Sequence, residues 1–332
     1  MDALITLQLV LSTLVYPGLL FLMMLAFLTQ YLVRKISARY QRRMGPAYVG
    51  PYGILQPLAD FWKLLRAKEV VKSRYSMQRV AEVSLLIGVA SITASMLILP
   101  LGFLSIQSPM DFLVFFYMSS VMPILMLTIA SLSMPGPYTS LGVSRLLSIL
   151  TISEPVYFTG LFIPCYIATF KEPAVLSVAE ASMLIPRLWV NPATILILVF
   201  SLIALLASIQ AKAMYPPFNI PEAEQEIIAG FETEFSGPLL ALATLLHDMD
   251  LTVSLLAVTF IVLGGPAPFN AESLGGVVAV VLKYVALLTV VATIKNIYGR
   301  YRLEQALHQL VKYGGIPAIL SLLLTVIWIL TP

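Results

Sequence analysis

Five glutamates fall close together in the segment NIPEAEQEIIAGFETEF, residues 219–235, of a chain in which only 11% of the residues are charged. They are Glu222, Glu224, Glu226, Glu232 and Glu234. Clustered carboxylates raise one another's pKa and can hold protons near neutral pH. One or two acids in a first helical turn would only complement the helix dipole, but five exceed that need. The segment is therefore predicted to handle protons.

A helix is expected to begin inside the same segment. Asn219 can cap it, Pro221 suits its first turn, and Glu222 follows Asn219 by three residues, as in a capping box. In such a helix Glu222 and Glu226, four residues apart, share one face, while Glu224 points elsewhere.

Ionisable residues also interrupt strongly apolar segments. Glu154 lies in ILTISEPVYF, Lys283 lies in VAVVLKYVALL, and LLHDMDLTV contains His247, Asp248 and Asp250. An unpaired charge at the bilayer centre costs about 2.5–3.5 kcal/mol on the mildest scale, so such residues are functional candidates. A polar line from the acidic segment to Glu154 would form a half-channel into the membrane. We add Glu154, Asp248, Asp250 and Lys283 to Glu222, Glu224, Glu226 and Glu234 as candidates for a proton relay.

The composition argues against metal and redox chemistry on this chain. Cys165 is the single cysteine, which excludes an internal disulfide and a cysteine-ligated cluster. The two histidines, His247 and His308, are too few and too far apart to suggest a metal site. We therefore expect no catalytic residue, no metal and no cofactor bound by this chain.

The elements that must position these residues are membrane helices. With 59% hydrophobic residues and a mean hydropathy of +0.92, the chain suits a bilayer better than water. Alternation typical of strands is lacking, so we predict an all-α protein forming a single membrane domain over 1–332. Eight apolar runs are predicted to span the membrane: 9–33, 80–105, 111–133, 143–170, 190–212, 238–264, 275–297 and 311–331.

Lysine and arginine are distributed very unevenly between the two sides of these spans. Eleven lie in loop 34–79 alone, whereas the opposite side has only Lys171 and Arg187. The positive-inside rule therefore places this loop, and the acidic loop 213–237, on the cytoplasmic side of the cell membrane. Both termini are then expected outside.

The first inner loop combines turns with an amphipathic helix. RRMGPAYVGPYG is rich in Gly-Pro turns, and ILQPLADFWKLLRAKE repeats apolar residues at helical spacing. We predict an interfacial helix on the inner side. It could bind anionic lipid, or it could serve as a platform for a soluble partner.

These loops resemble those of a known family. QRRMGPAYVGPYGILQPLADFWKLLRAKE resembles the first-loop signature of the NuoH-type membrane subunit of respiratory complex I, and PPFNIPEAEQEIIAGFETEFSG resembles its acidic loop. GRYRLEQALHQLVKYG is similar to the segment before that subunit's last helix. The resemblance runs from about residue 30 to the C-terminus, and the expected eight spans match those of the family.

The resemblance implies a non-catalytic subunit of an ion-translocating oxidoreductase. Such a subunit anchors the soluble arm and relays protons or conformational change to antiporter-like pumping subunits. Loops 34–79 and 213–237 would touch iron–sulfur and catalytic-type subunits, which hold the clusters; no nucleic-acid partner is implied. The residues matching the family's relay are Glu154, Glu222, Glu224, Glu226 and Glu234, and the expected partner contacts are Arg42, Arg43, Asp60 and Lys63.

The chain departs from the family pattern near the expected quinone chamber, at Val33, Ala47, Pro216 and Asn219. It nevertheless keeps the long Gly-Pro loop that hydrogenase relatives usually shorten. This mixture favours a ferredoxin-linked archaeal sulfane sulfur reductase-type complex. A membrane-bound nickel–iron hydrogenase and a quinone-reducing NADH dehydrogenase are the alternatives within the family. Two alternatives lie outside the family. One is a secondary ion transporter, although no inverted repeat is visible in the sequence. The other is a purely structural anchor.

Overall fold

The computed structural model describes residues 2–66, 68, 74–101, 107–170, 176–270 and 273–330, with the backbone alone for residues 2–7. Over these residues the secondary structure is helical and contains no strand, as the sequence predicted. The helices are α1 Asp2–Leu14, α2 Leu19–Tyr40, α3 Gln56–Arg66, α4 Gln78–Ser95, α5 Asp111–Phe116, α6 Met122–Leu132, α7 Pro137–Thr169, α8 Val178–Leu188, α9 Pro192–Lys212, α10 Glu224–Ile227, α11 Pro238–Ile261, α12 Leu274–Ile297, α13 Leu303–Leu310 and α14 Ile316–Leu330.

Seven helical runs in the described part of the chain are long and apolar enough to cross a membrane. They are Gln8–Tyr40, Asp111–Leu132, Pro137–Thr169, Pro192–Lys212, Pro238–Ile261, Leu274–Ile297 and Leu303–Leu330. The predicted span 80–105 is not among them, because α4 ends at Ser95 and residues 102–106 lie outside the described ranges. The count of eight is therefore not confirmed, and a membrane crossing by α4 stays a prediction.

The first predicted span, 9–33, is interrupted near its start. The helix breaks between Leu14 and Leu19, where Pro17 lacks the backbone N–H that a continuing helix would use. A Cβ on Gly18 would lie 1.9 Å from the carbonyl oxygen of Thr13, so the chain doubles back closely at this point. The 22 residues of α2 still cover about 33 Å, enough to cross the hydrocarbon core.

Helix α11 lies at the centre of the bundle. In its most apolar stretch 72% of the residues are buried, against 28–50% in the other six runs. It packs against α2, α4, α12 and the amphipathic helix α3. Polar side chains on α11 are consequently held in the protein interior, where each needs a partner.

The acidic segment does not form the helix that the sequence suggested. Only Glu224–Ile227 is α-helical, so Glu222 lies outside the helix and does not share a face with Glu226. The turn ends at once because Ile228 and Gly230 have positive φ angles of 61° and 56°. The segment is held instead by tertiary contacts with α7.

The predicted amphipathic helix of the first loop is present as α3. It turns Leu58 and Phe61 toward the core and leaves Trp62 and Leu65 exposed. Arg34 of α2 forms an ion pair with Asp60 of α3 at 2.8 Å. The helix is therefore fastened against the end of α2 at which the acidic segment also lies.

Candidate functional site

A polar chamber of about 320 Å³ lies where α2, α3, α11 and α12 meet the segment that follows α9. Its ionisable lining residues are Arg34, Asp60, Glu222, Glu232, His247, Asp248 and Lys295. Five elements distant in sequence, the four helices and the acidic segment, therefore bring both signs of charge to one chamber.

Two loop glutamates of the chamber have a raised pKa. Burial, together with the charges of Glu222 and Asp248, raises the pKa of Glu232 to about 8. Burial also raises the pKa of Glu222, although His247 and Lys295 oppose that shift. Carboxyl groups of this kind can exchange protons near neutral pH.

Aromatic and cationic groups form the opposite wall. The Lys295 ammonium lies 3.6 Å from the centroid of the Tyr215 ring, a cation–π contact. The Tyr215 hydroxyl donates to Gln30 Oε1 at 3.4 Å, and burial raises its pKa, so it stays a neutral donor. Lys295 and Arg34 offset part of the negative charge of the chamber carboxylates.

A second polar group, which we call the lysine cluster, consists of Ser120, Glu154, Lys212 and Asp250. Lys212 ends α9 with 3% of its surface exposed. Its Nζ lies 3.4 Å from Glu154 Oε1 and 3.6 Å from Asp250 Oδ1. One cation thus stands between two carboxylates in the protein interior, an arrangement that leaves one negative charge for a proton to neutralise.

Ser120 completes this cluster from a π-helical turn, Tyr117–Val121, which joins α5 to α6. Its hydroxyl donates to Glu154 Oε2 at 2.6 Å and accepts from the Lys212 ammonium. The Lys212 ammonium also lies 4.2 Å from the centroid of the Tyr157 ring. Single π turns inside α-helices recur at functional sites, and this one aims a hydroxyl at the buried charges.

A small void borders both the chamber and the lysine cluster. Its volume is about 20 Å³, and its lining includes Lys212, Met214, His247 and Asp250 among aliphatic side chains. A space of this size holds about one water molecule. Met214 and His247 line both the void and the chamber. The chamber and the lysine cluster therefore border the same small and mostly apolar void.

The family to which this architecture belongs is decided by comparison with known proteins. The family model described as NADH dehydrogenase matches residues 13–326. The chain belongs to the NADH dehydrogenase family.

This NADH dehydrogenase family chain also has the fold of a chain in a solved respiratory assembly. The match is to the membrane-bound sulfane sulfur reductase (MBS), an archaeal respiratory membrane complex, with a TM-score of 0.76 and 22% identity over 92% of this chain and 96% of that chain. An identity this low shows a shared fold. Together the two matches identify a complex I-like membrane subunit, as the loop motifs indicated.

The predicted relay residues of this NADH dehydrogenase family chain divide into three groups. Glu222 and Asp248 line the chamber, and Glu154 and Asp250 belong to the lysine cluster. The other four lie elsewhere: Glu224, Glu226, Glu234 and Lys283.

Three of these four residues contact groups that belong neither to the chamber nor to the lysine cluster. Glu226 forms ion pairs with Arg145 at 2.6 Å and Arg300 at 2.5 Å, and the Arg145 hydrogen bond lowers its pKa. Glu234 packs against Gly136, where a Cβ would lie 2.6 Å from its Oε1. Lys283 donates to the carbonyl oxygens of residues 263, 265 and 267 at 2.7–2.8 Å. These contacts hold loops in place, and Glu224 is exposed.

The predicted partner-contact residues occupy the same end of the molecule as the chamber. Arg42, Arg43 and Lys63 are exposed, whereas Asp60 lines the chamber in its ion pair with Arg34. Arg43 Nε donates to Gln41 Oε1 at 2.7 Å.

Several residues of the site were missed by sequence reasoning, among them Lys212, Glu232, His247 and Lys295. Lys212 and Lys295 end spans, where a lysine normally extends its ammonium group to the interface. Glu232 belongs to the five-glutamate segment, which was a sufficient signal, but it was left out of the relay set. His247 was noticed beside Asp248 and given no role.

A further cavity of about 340 Å³ lies between α2, α11 and α12 and is lined mainly by aliphatic and aromatic side chains. Its polar atoms are already satisfied: Thr29 Oγ1 and Tyr284 Oη lie 2.5 Å apart, and the Tyr16 hydroxyl donates to the Leu101 carbonyl. It shares no lining residue with the polar chamber. The chamber, the void and the lysine cluster are therefore the candidate site.

Proposed function

We propose that this chain is the coupling subunit of a complex I-like oxidoreductase and that it relays protons between the soluble redox arm and ion-pumping membrane subunits. The observation that carries the proposal is the succession of chamber, one-water void and buried lysine cluster, which together lead from the loops into the bundle. An isolated acid in either place could be structural. Two connected proton-accepting groups are what a relay requires.

The chamber is the entry of the proposed route. With a pKa of about 8, Glu232 is mostly protonated near neutral pH and gives up its proton when a nearby charge changes. Glu222 and Asp248 line the same space and take part in the exchange. A change at the interface with the soluble arm, transmitted by the acidic segment or by α3, would alter these charges.

The lysine cluster is the inner station of the route. Lys212 lies almost equally far from Glu154 and Asp250, at 3.4 and 3.6 Å, and forms an ideal ion pair with neither. A small movement of its ammonium group toward one carboxylate leaves the other unpaired in a poorly solvated place. A proton can then neutralise the carboxylate that has lost its partner. Displacement of Lys212 and proton uptake are thereby coupled.

Replacement of Glu154 by Gln tests the relay. Gln keeps the size of the side chain and cannot exchange a proton at this pH, so we expect ion translocation by the reconstituted complex to fall at least about tenfold. The matched control is Glu82→Gln, since Glu82 accepts a hydrogen bond from Gln78 within α4 and is remote from the cluster in sequence. The measurement is dye-reported proton movement per electron transferred in proteoliposomes. Normal pumping by an intact Glu154→Gln complex would refute the relay.

We further propose the partners that such a subunit needs. Its exposed residues beside the chamber, Arg42, Arg43, Lys63 and Trp62, suit a soluble-arm subunit bearing iron–sulfur clusters. Antiporter-like subunits would pack in the membrane, with the two inner loops in the cytoplasm. These assignments rest on family membership and on the strongly basic first loop.

The specific complex that we propose is a ferredoxin-linked sulfane sulfur reductase. It is supported by the fold shared with the archaeal MBS chain and by the loop sequences, which combine the long Gly-Pro loop with changes near the expected quinone chamber. Metal content and acceptor specificity of the intact complex test this assignment.

A further inference from the structure

We propose that His247 is the residue that passes protons between the polar chamber and the lysine cluster. This inference deepens the proposed relay and rests on it. It assigns proton transfer between the chamber and the lysine cluster to a single side chain.

The position of His247 is the first reason. Of the described residues, only Met214 and His247 line both the chamber and the small void. The thioether of Met214 does not exchange protons at physiological pH, whereas an imidazole does so readily. His247 also precedes Asp250 by three residues on α11, so the two side chains share a helix face.

The hydrogen bonding of His247 indicates which ring nitrogen is free. Nε2 lies 3.0 Å from the carbonyl oxygen of Ala213. A carbonyl oxygen can only accept, so Nε2 carries the hydrogen in this contact. Nδ1, which lies 4.0 Å from Asp248 Oδ1, is then bare in the neutral ring and able to take a proton from the chamber. In the neutral ring, Nδ1 is therefore free to accept a proton, while Nε2–H donates to the Ala213 carbonyl.

The transfer can be written with every proton accounted for. A protonated Asp248 gives its proton to Nδ1, which forms a carboxylate and an imidazolium. The imidazolium then rotates so that Nδ1–H faces the void, and the Nδ1–H bond breaks as the Asp250 carboxylate takes that proton, directly or through a single water. The neutral ring, which still carries its hydrogen on Nε2, rotates back and restores the Ala213 hydrogen bond. No electron moves, and the net result is one proton transferred from the chamber to the lysine cluster.

The charges around His247 come from every element packed near it. Asp248 and Asp250 lie on its own helix. The other charged or titratable groups lining the two spaces are Lys212 of α9, Tyr215 of the segment after α9, Glu222 and Glu232 of the acidic segment, Lys295 of α12, Arg34 of α2 and Asp60 of α3. Acids stand on both sides of the ring, so a transient imidazolium is stabilised whichever way the proton travels.

A purely structural role for His247 makes a different prediction. The hydrogen bond to Ala213 ties α11 to the end of α9, and the ring meets Tyr215 edge-on at a centroid distance of 6.3 Å. Glutamine can keep the hydrogen bond through its amide N–H, but its amide cannot take up and release a proton. His247→Gln therefore distinguishes a role in holding α11 to the end of α9 from a role in proton transfer.

The experiment uses the complete complex in proteoliposomes. We expect His247→Gln to assemble normally and to lower the rate of proton translocation about 100-fold, the usual worth of a positioned acid–base group. We expect His247→Ala to be equally slow and to be accelerated severalfold by imidazole added to the buffer. The matched control is His308→Gln, because His308 is exposed on α13 and should pump normally without responding to imidazole.

Two outcomes overturn the inference. Wild-type pumping by His247→Gln would show that the ring carries no proton. Slow pumping by His247→Ala without imidazole rescue would show a structural role, and this test holds even if the Gln variant does not assemble. Glu154→Gln separates the two proposals: if it is impaired while His247→Gln is normal, only the role of His247 fails. If Glu154→Gln itself pumps normally, the relay as a whole is wrong.

Discussion

Glu232 shows how the surroundings of a single side chain change its chemistry. Its neighbour in sequence Glu234 packs on Gly136, and Glu224 is exposed, yet Glu232 faces the chamber. All three are glutamates of one short segment. Burial together with the nearby Glu222 and Asp248 raises the pKa of Glu232 from 4.5 to about 8. Its proton is consequently held by the folded protein at a pH where the unfolded chain has lost it.

The pKa of Glu232 predicts a pH-dependent difference in stability. Between about pH 4.5 and 8 the native state binds more protons than the unfolded state, so the free energy of unfolding falls as pH rises through this window. Glu232→Gln, which resembles the protonated acid, removes that fall. We expect the variant to melt close to wild type at pH 5 and above it at pH 9.

Thermal melting of the purified complex across this pH range measures the effect. Glu224→Gln is the control, because that side chain is exposed and should leave the pH dependence unchanged. Parallel melting curves for Glu232→Gln and wild type would contradict a raised pKa.

The acidic segment illustrates how an element can be shaped by its neighbours. A Cβ on Gly142 of α7 would lie 2.3 Å from the backbone nitrogen of Phe231, so the two backbones touch. Gly230 has a φ of 56°, and a Cβ there would lie 1.7 Å from the Pro221 carbonyl oxygen. Glu226, paired with Arg145 and Arg300, fastens the outer face of the same segment. Close packing and ion pairs thus outweigh the helix-start signal in its sequence.

Gly230→Ala should disrupt this segment. The added methyl group would meet the Pro221 carbonyl in a backbone conformation that strains any residue with a Cβ, at a cost of at least about 1 kcal/mol. Gly299→Ala is a matched control, because nothing lies within 4 Å of the Cβ position there. We expect faster amide hydrogen exchange across residues 219–235 and weaker pumping in Gly230→Ala alone. Equal exchange in the two variants would show that the segment is not held by this contact.

Across the entire chain, the central helix α11 joins the two acid groups. It carries His247 and Asp248 toward the chamber and Asp250 toward Lys212, within a single turn. Its neighbours α2, α9 and α12 supply the counter-charges Arg34, Lys212 and Lys295. The chamber lies at the end of the molecule where the exposed basic residues Arg42, Arg43 and Lys63 also lie.

The metal content and the electron acceptor of the intact complex test which kind of complex contains this chain. We expect the purified complex to contain iron and acid-labile sulfide, to lack nickel, and to reduce sulfane sulfur with reduced ferredoxin. Elemental analysis and acceptor assays measure this. Nickel together with hydrogen evolution would indicate a hydrogenase instead, and a bound, reducible quinone would indicate the respiratory form. Purification as a lone chain or homo-oligomer would favour a secondary transporter.

Local sequence was sufficient for the helical class, seven of the eight expected spans and the family. Each depends on a property that short segments carry by themselves: apolar length and two long loop motifs. The amphipathic α3 was predictable for the same reason. The break after Tyr16 and the short α10 were missed, because they depend on backbone contacts with Thr13 and Pro221.

Only tertiary structure decided which ionisable residues meet. Lys212 and Glu154 are far apart in the chain, and nothing local shows that a lysine at a helix end turns inward rather than toward the interface. Lys283 had a stronger signal from its place in a span, yet it meets three backbone carbonyls rather than an acid. The reason is physical: a buried charge is stabilised by whichever partner packing brings within about 4 Å, and that distance is set by helices that are remote in sequence.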